Sequence, residues 1–392
     1  MRKNTVVITS GYRWTYFEWF ILGFYKLKER GDINLKFKLS LGSQLLSVTN
    51  NSFIERFADK FRRCFEKDSY NMSGYVLFLD GKKKYFTIDC ADAPYLFNYK
   101  ELNRVNVYFK MQCPVTINEE GFKLAENVVI PWTDHEHVDI KYRRITDRGE
   151  RKSITISDKV SKIKPLMVGP RALSEKAFSY AKLNKGYNNY LGSRIEKKTK
   201  KIMCYFGNAL GPVVHTIYDK PDFDWEADIL SFYGAKLCHP NEKRAIVAKM
   251  IAEIDNSDAR IISKSNSDSL KSINDAVVPL ADFCRFTTMF EYNANVSGYR
   301  MSIPNRFIES FIVGTKIITD KLHVKWYKPF EEEVIETVEM GYLPMKQINW
   351  EKYNKQLSEL PNVNPRQVYH LYDEKWEPTK VAEYIVNTVN MS

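Results

Sequence analysis

The sequence predicts an α/β protein of two domains, and three observations carry that reading. The 392 residues exceed what one hydrophobic core usually serves. The chain opens as strand, loop, helix: Thr5-Val6-Val7-Ile8-Thr9, a turn at Ser10-Gly11-Tyr12, then apolar residues at helical spacing from Trp14 to Leu27. A second start follows near residue 200, where Ile202 to Phe206, Glu242 to Ile254 and Ala259 to Ile262 alternate strand with helix. That alternation favours a parallel sheet with crossover helices.

In the first half, Phe53 to Phe65 reads as an amphipathic helix. Tyr75 to Leu79 and Tyr85 to Ile88 flank Asp80-Gly81-Lys82, as a hairpin turn or as the end of a longer connection. Val105 to Lys110 is a strand. Pro165 to Pro170, with two prolines and a glycine, predicts an extended stretch along an interdomain cleft. Ser174 to Leu183 is helix-like, and the Gly/Asn/Tyr-rich passage after it, with Lys197 to Lys201, marks the boundary. The domains are therefore 1–200 and 201–365, with 366–392 a helical segment that can cross back to the first. Glu331 to Met340 and Thr379 to Val389 are further helix candidates.

A hydrophobic fraction of 44% excludes general disorder. No apolar run approaches the roughly 18 residues of a membrane span, so the expected location is cytoplasmic, with peripheral contact at the inner face of a membrane. Six dispersed cysteines without a CxxC pair predict buried thiols. The net charge of +11 is concentrated: Lys141 to Lys201 holds 18 basic against 5 acidic residues, a local +13 that leaves about −2 elsewhere. Such a segment suits an anionic lipid surface, an acidic glycan or nucleic acid; a solvated linker face is the ordinary alternative.

The stretch from Phe283 to Asp320 is the most informative. It reads as an apolar strand beginning at Phe283, a polar loop, a helix entered at Pro304 with Phe307, Ile308, Phe311 and Ile312 on one face, a stop at Gly314, and the strand Lys316 to Thr319. In a parallel sheet such a loop and helix N-terminus lie at the carboxyl edge, where ligands bind and free N–H groups favour phosphate. Arg306 and Glu309, three apart, can face one side of that helix. The ordinary reading is a surface ion pair; the functional one gives a diphosphate to the guanidinium and ribose hydroxyls to the carboxylate. Arg300 and Asn305 are further phosphate candidates. Gly207-Asn208, at the first strand–helix junction of the second domain, allows close backbone approach to a ligand, and Arg244 and Lys236 flank the next helix.

The same residues resemble the GT-B class of nucleotide-sugar-dependent glycosyltransferases, particularly exostosin-like and bacterial fucosyltransferase-like members. Phe290-Glu291-Tyr292-Asn293, Gly298-Tyr299, Arg306-Phe307-Ile308-Glu309 and Val313 to Ile318 carry the likeness, with Val313 and Lys316 departing from the usual Ala and Pro. The resemblance implies two Rossmann-like domains facing across a cleft, a nucleotide-sugar donor held by Gly207, Asn208, Arg244, Glu291, Arg300, Asn305, Arg306 and Glu309, and no divalent metal. It also implies a glycan or lipid-linked acceptor in capsule, lipopolysaccharide or other surface polysaccharide synthesis. A catalytic base is then expected in the first domain, at Asp92 or Asp89 on a loop leaving a strand, with Glu18 and His135 as rivals. Two alternatives stand beside this: a nucleic-acid-binding protein using the basic 141–201 segment, and a metal-dependent GT-A enzyme using Asp222 and Asp224. Asp134-His135-Glu136-His137 also carries zinc-type donors without a further cluster nearby.

Overall fold

The structure, a computed structural model, describes residues 3–10, 14–39, 71–90, 98–115, 117–118, 121–122, 142–145, 151–154, 157–171, 173, 180–207, 240–262, 278, 280–296, 302–320, 322, 324–338 and 348–392. Two sheets organise them. The first contains β1 (Thr5–Ser10), β2 (Asn34–Phe37), β3 (Asn71–Leu77), β4 (Lys83–Asp89), β5 (Val107–Lys110) and β6 (Ile163–Pro165), in the order β6-β5-β4-β3-β1-β2. Helix α1 (Trp14–Arg30) follows β1, and α2 (Tyr99–Arg104), capped by Asn98, precedes β5. Strand β3 runs antiparallel to both neighbours while the other pairs are parallel. The tight Asp80–Gly81 connection, with Gly81 at φ +84°, resolves the open choice as a hairpin and enforces that reversal.

The second sheet is wholly parallel. It is built from β7 (Lys200–Gly207), β8 (Asp258–Ile262), β9 (Phe290–Asn295), β10 (Lys316–Thr319) and β11 (Ile335–Thr337), ordered β8-β7-β9-β10-β11. Helix α3 (Tyr180–Leu191) precedes it; α4 (Pro240–Ala252), α5 (Leu280–Thr288) and α6 (Arg306–Ile312) connect its strands. Three helices close the chain: α7 (Trp350–Ser358), α8 (Pro365–Lys375) and α9 (Pro378–Met391).

Three local expectations are corrected. The run beginning at Phe283 is helical, with Phe283, Cys284 and Thr287 buried at helical spacing, and the strand starts at Phe290. Of the expected helix Glu331 to Met340, the described residues 331–338 are not helical: Ile335–Thr337 takes the free edge of β10, where β-branched residues fit a pleated surface. The helix expected to end at Leu183 runs on as α3 to Leu191, so the first part of the Gly/Asn/Tyr passage is helical. There Gly186 serves contact, since a Cβ on it would stand 1.7 Å from the Leu173 carbonyl oxygen. The Phe53 to Phe65 helix and residues 174–179 lie outside the described residues.

Beside a separate cluster on the second sheet around Ile202, Phe206, Val247, Tyr292 and Tyr353, a larger hydrophobic core runs from Val6 and Phe20 to Phe311, Trp376 and Val389 and joins the first sheet to α6 and the last helices. Its centre is aromatic: Phe311 stacks on Trp376 at 5.3 Å between ring centroids, with Phe307, Trp326 and Phe330 around them. Helix α9 returns to the first sheet and packs on α1 so closely that a Cβ at Gly23 would stand 2.1 Å from the Pro378 carbonyl oxygen. Further ties join the halves. Gln112 both donates to and accepts from the Ile303 backbone at 2.9 Å, and Cys113–Pro114 pairs antiparallel with Val324–Lys325. Cys90, Cys113, Cys204 and Cys284 are buried free thiols, and burial pushes the Cys113 and Cys204 thiols up to about 12. Among the described residues no helix is long and apolar enough to cross a membrane.

Candidate functional site

The strand order of the second sheet defines a crevice. From β7 the chain passes through α4 to β8 on one side, whereas β9 leads through α6 to β10 on the other, so the connections diverge at the carboxyl ends of β7 and β9. Such a switch point is where open parallel sheets bind ligands.

Two arginines flank it. Arg244, in the first turns of α4, lies with its guanidinium carbon 5.9 Å from the Phe206 ring centroid and donates to the Val296 carbonyl at 3.3 Å. Arg306, at the start of α6, places its guanidinium 5.8 Å from the same ring. Phe206 is the penultimate residue of β7, before Gly207, so the two cations lie over the carboxyl end of that strand. Nη1 of Arg306 is buried and has no hydrogen-bond acceptor among the described residues. Burial first, then the nearby Arg244 and Arg171 guanidiniums, hold the Arg306 pKa below the ordinary arginine range, and Glu309 offsets this only in part. The side chain remains a cation at neutral pH. A buried cation crowded by like charges and lacking an acceptor is a donor set for an anion.

Arg171 completes the group from the first half of the chain. It follows the extended Leu166–Pro170 segment, whose Gly169 carbonyl accepts from Asn305 Nδ2 at 2.5 Å. Its backbone N–H and Nε donate to Glu309 Oε1 at 2.9 and 3.1 Å, and its Nη2 donates to Oε2 at 3.2 Å. Its guanidinium also lies 4.3 Å from the Phe283 ring centroid. Burial lowers the Arg171 pKa, but the Glu309 charge and hydrogen bond outweigh it and leave the group above its ordinary value.

The sequence-derived site is thus partly assembled and partly redistributed. Arg244, Arg306 and the end of β7 at Gly207 come together. Asn305 and Glu309 adjoin them but hold the Gly169–Arg171 segment: Glu309, fully buried, is the acceptor for Arg171 and not an open hydrogen-bonding face for ribose. Residues three apart on one short helix need not share partners, and Arg171, 138 positions upstream, left no local signal beyond the Gly-Pro preceding it. Helix α6 spans only seven residues, and its Phe307 and Glu309 N–H groups already donate to Pro304 and Asn305. The charge in the crevice therefore comes from side chains, not from the helix terminus as the sequence implied. Glu291 sits at the amino end of β9, paired with Lys201 at 2.7 Å and away from the crevice.

In the first sheet, Asp89 is a corrected assignment. It ends β4 buried, accepting from Lys110 Nζ at 3.0 Å and from Tyr108 Oη at 2.5 Å, and does not lie on an open loop as a base. Its register partner across β5 is Lys110, so the parallel pairing itself creates the ion pair. Glu18 is likewise committed, accepting from the Leu173 N–H at 2.6 Å. Asp92, His135, Asn208, Asp222, Asp224, Lys236 and Arg300 lie outside the described residues. Among the described residues no cluster of three His, Cys, Asp or Glu side chains is arranged to hold a metal ion.

No protein-family model matches the chain. No curated protein matches it either. Among solved structures, the S. aureus MnaA–UDP complex is similar at 10% identity over 98% of this chain and 94% of that one, with a TM-score of 0.38. A Listeria monocytogenes structure described as a UDP-N-acetylglucosamine 2-epimerase is similar at 8% identity over 97% and 91%, with a TM-score of 0.34. A GtfA/B complex aligns at 10% identity over 50% of this chain and 37% of that one, with a TM-score of 0.30. At these scores the likenesses carry no inference, and the reading of the crevice rests on its own residues.

Proposed function

We propose that the chain is a nucleotide-sugar-dependent glycosyltransferase of the GT-B kind, which holds the donor diphosphate at the switch point of the second sheet between Arg244 and Arg306. The observation that carries this reading is the buried Nη1 of Arg306, without an acceptor among the described residues, beside a second guanidinium at the carboxyl end of β7. A phosphate oxygen there satisfies the stranded donor and separates two repelling charges. As the glycosidic bond to the diphosphate breaks, negative charge grows on the leaving oxygens. Guanidiniums already fixed in a poorly hydrated crevice stabilise that charge without reorganising. The acceptor is a hydroxyl of a glycan or lipid-linked glycan, presented from the first domain in the synthesis of a surface polysaccharide. Asp92 is the proposed base. It follows Asp89 by three residues, and Asp89 is held at the carboxyl edge of the first sheet by Lys110 and Tyr108.

The test is a thermal-shift panel of UDP-, GDP-, CMP- and dTDP-linked sugars against the wild type and Arg306→Gln. One family of donors raises the melting temperature of the wild type, and Arg306→Gln loses at least tenfold in affinity, the share of one charge-assisted hydrogen bond of about 1.5–3 kcal/mol. A wild type indifferent to every donor overturns the proposal.

A further inference from the structure

Helix α6 cannot hold itself in place. It spans seven residues, short of the roughly 12–15 that even good helix formers need alone, so its setting comes from what it packs against. Phe307 and Phe311 fix its axis in the core. Its entrance, where Arg306 stands, is fixed by polar ties to the other half of the chain. Gln112 exchanges two hydrogen bonds of 2.9 Å with the Ile303 backbone just ahead of the helix. Asn305 Nδ2 donates to the Gly169 carbonyl at 2.5 Å. Glu309, fully buried, accepts from the Arg171 backbone N–H at 2.9 Å and from its Nε and Nη2 at 3.1 and 3.2 Å.

The segment that supplies Gly169 and Arg171 is pinned in turn to α1. A Cβ on Gly169 would stand 2.8 Å from the Trp19 Cβ, and the Leu173 N–H donates to Glu18 at 2.6 Å. Positions 303, 305 and 309 are therefore tied down on both sides of Arg306, whose buried Nη1 has no acceptor among the described residues. We propose that Glu309 and Arg171 are positioning residues for the donor site: their fork, with the Asn305–Gly169 tie, lets the first half of the chain set the orientation in which Arg306 meets a phosphate, and neither side chain touches the ligand. The inference rests on the donor site proposed above and gives Glu309 a function that needs no ribose. A donor held rigidly before the anion arrives loses less freedom on binding.

Inorganic pyrophosphate, which has neither base nor ribose, is the probe, and calorimetric titration the measurement. Charge and positioning predict opposite signs for Glu309. If the carboxylate acted on an anion only through its charge, deleting it would tighten binding. Acting through Arg306, Glu309→Ala weakens pyrophosphate by about tenfold, the share of the charge-assisted hydrogen bond that Arg306 no longer aims. Glu309→Gln keeps an acceptor for the Arg171 donors and binds as well as the wild type or better. In an Arg306→Gln background the Glu309→Ala loss shrinks below about twofold, because the residue being positioned is gone. Unchanged or tighter binding in Glu309→Ala overturns the inference, as does an equal loss in both backgrounds. Should Glu309→Ala fail to fold, Asn305→Ala removes the other tie and leaves the ion pair; severalfold weaker binding that disappears in the Arg306→Gln background supports the inference, and unchanged binding overturns it. The two proposals separate in the controls. Wild type that binds pyrophosphate, with Arg306→Gln weakened and Glu309→Ala indifferent, sinks only the positioning role. Wild type that binds neither pyrophosphate nor any nucleoside diphosphate sinks both.

Discussion

Single residues in this protein are placed by what the chain offers their charge. Lys198 shows it most clearly. It is buried, donates to the Thr288 and Val313 carbonyls at 2.9 and 2.6 Å and to Thr315 Oγ1 at 3.2 Å, and has only neutral acceptors. Burial lowers its pKa to about 7, with Glu291 opposing weakly. A folded-state value below the ordinary 10.5 means that the folded chain binds fewer protons than the unfolded chain between about pH 7 and 10.5. Stability from this group therefore rises with pH across that window. In thermal melts from about pH 6.5 to 10, the wild type should gain melting temperature relative to Lys198→Met, and parallel curves would refute the assignment. Nothing in the run Lys197 to Lys201 distinguishes Lys198 from its neighbours; α5 and the end of α6 bury it.

At the scale of elements, the basic segment is the instructive case. The sequence presents 141–201 as a surface for an anionic partner, yet several of its cations are internal ties. Arg194 donates to the Ile312 carbonyl at 2.7 Å and to both carboxylate oxygens of Asp373, Lys162 donates to the Val105 carbonyl, and Lys201 pairs with Glu291. They run from the inter-sheet connection to the helices and strands it joins. Arg194→Ala should therefore destabilise the fold by about 2–3 kcal/mol, since a buried carbonyl and a bidentate pair lose their donor together. Chemical denaturation measures it, and a change under about 0.5 kcal/mol would return Arg194 to the solvated face. Where apolar periodicity was strong, as in α1 and α9, the sequence displayed the element. It misread Phe283 to Thr288, which is too short an apolar run to tell strand from helix by its residue types, and Glu331 to Val338, where the open edge of β10 decided the state.

At the scale of the whole molecule, the larger core joins the first sheet to α6 and the last helices and so ties the two halves together. Trp376 belongs to the last helices yet stacks on Phe311 of α6, and its carbonyl accepts from Trp19 Nε1 of α1 at 3.2 Å. Trp376→Ala should cost about 3–5 kcal/mol and speed amide exchange in both α1 and α6. Faster exchange confined to α6 would show that the halves are energetically separate. Calorimetry of the wild type should give a single transition for the same reason, and two resolved transitions would contradict a shared core.

By itself the sequence determined the α/β class, the second start near residue 200, the helix stop at Gly314 and the position of Arg306, because each follows from local periodicity, turn chemistry or charge within a few residues. Only the tertiary structure decided that Glu309 belongs to Arg171, that Asp89 is buried against Lys110, and that Arg244 meets Arg306 over Phe206. Those partners lie 138, 21 and 62 positions apart. Strand order and core packing bring them together, and neither is written in the residues nearby.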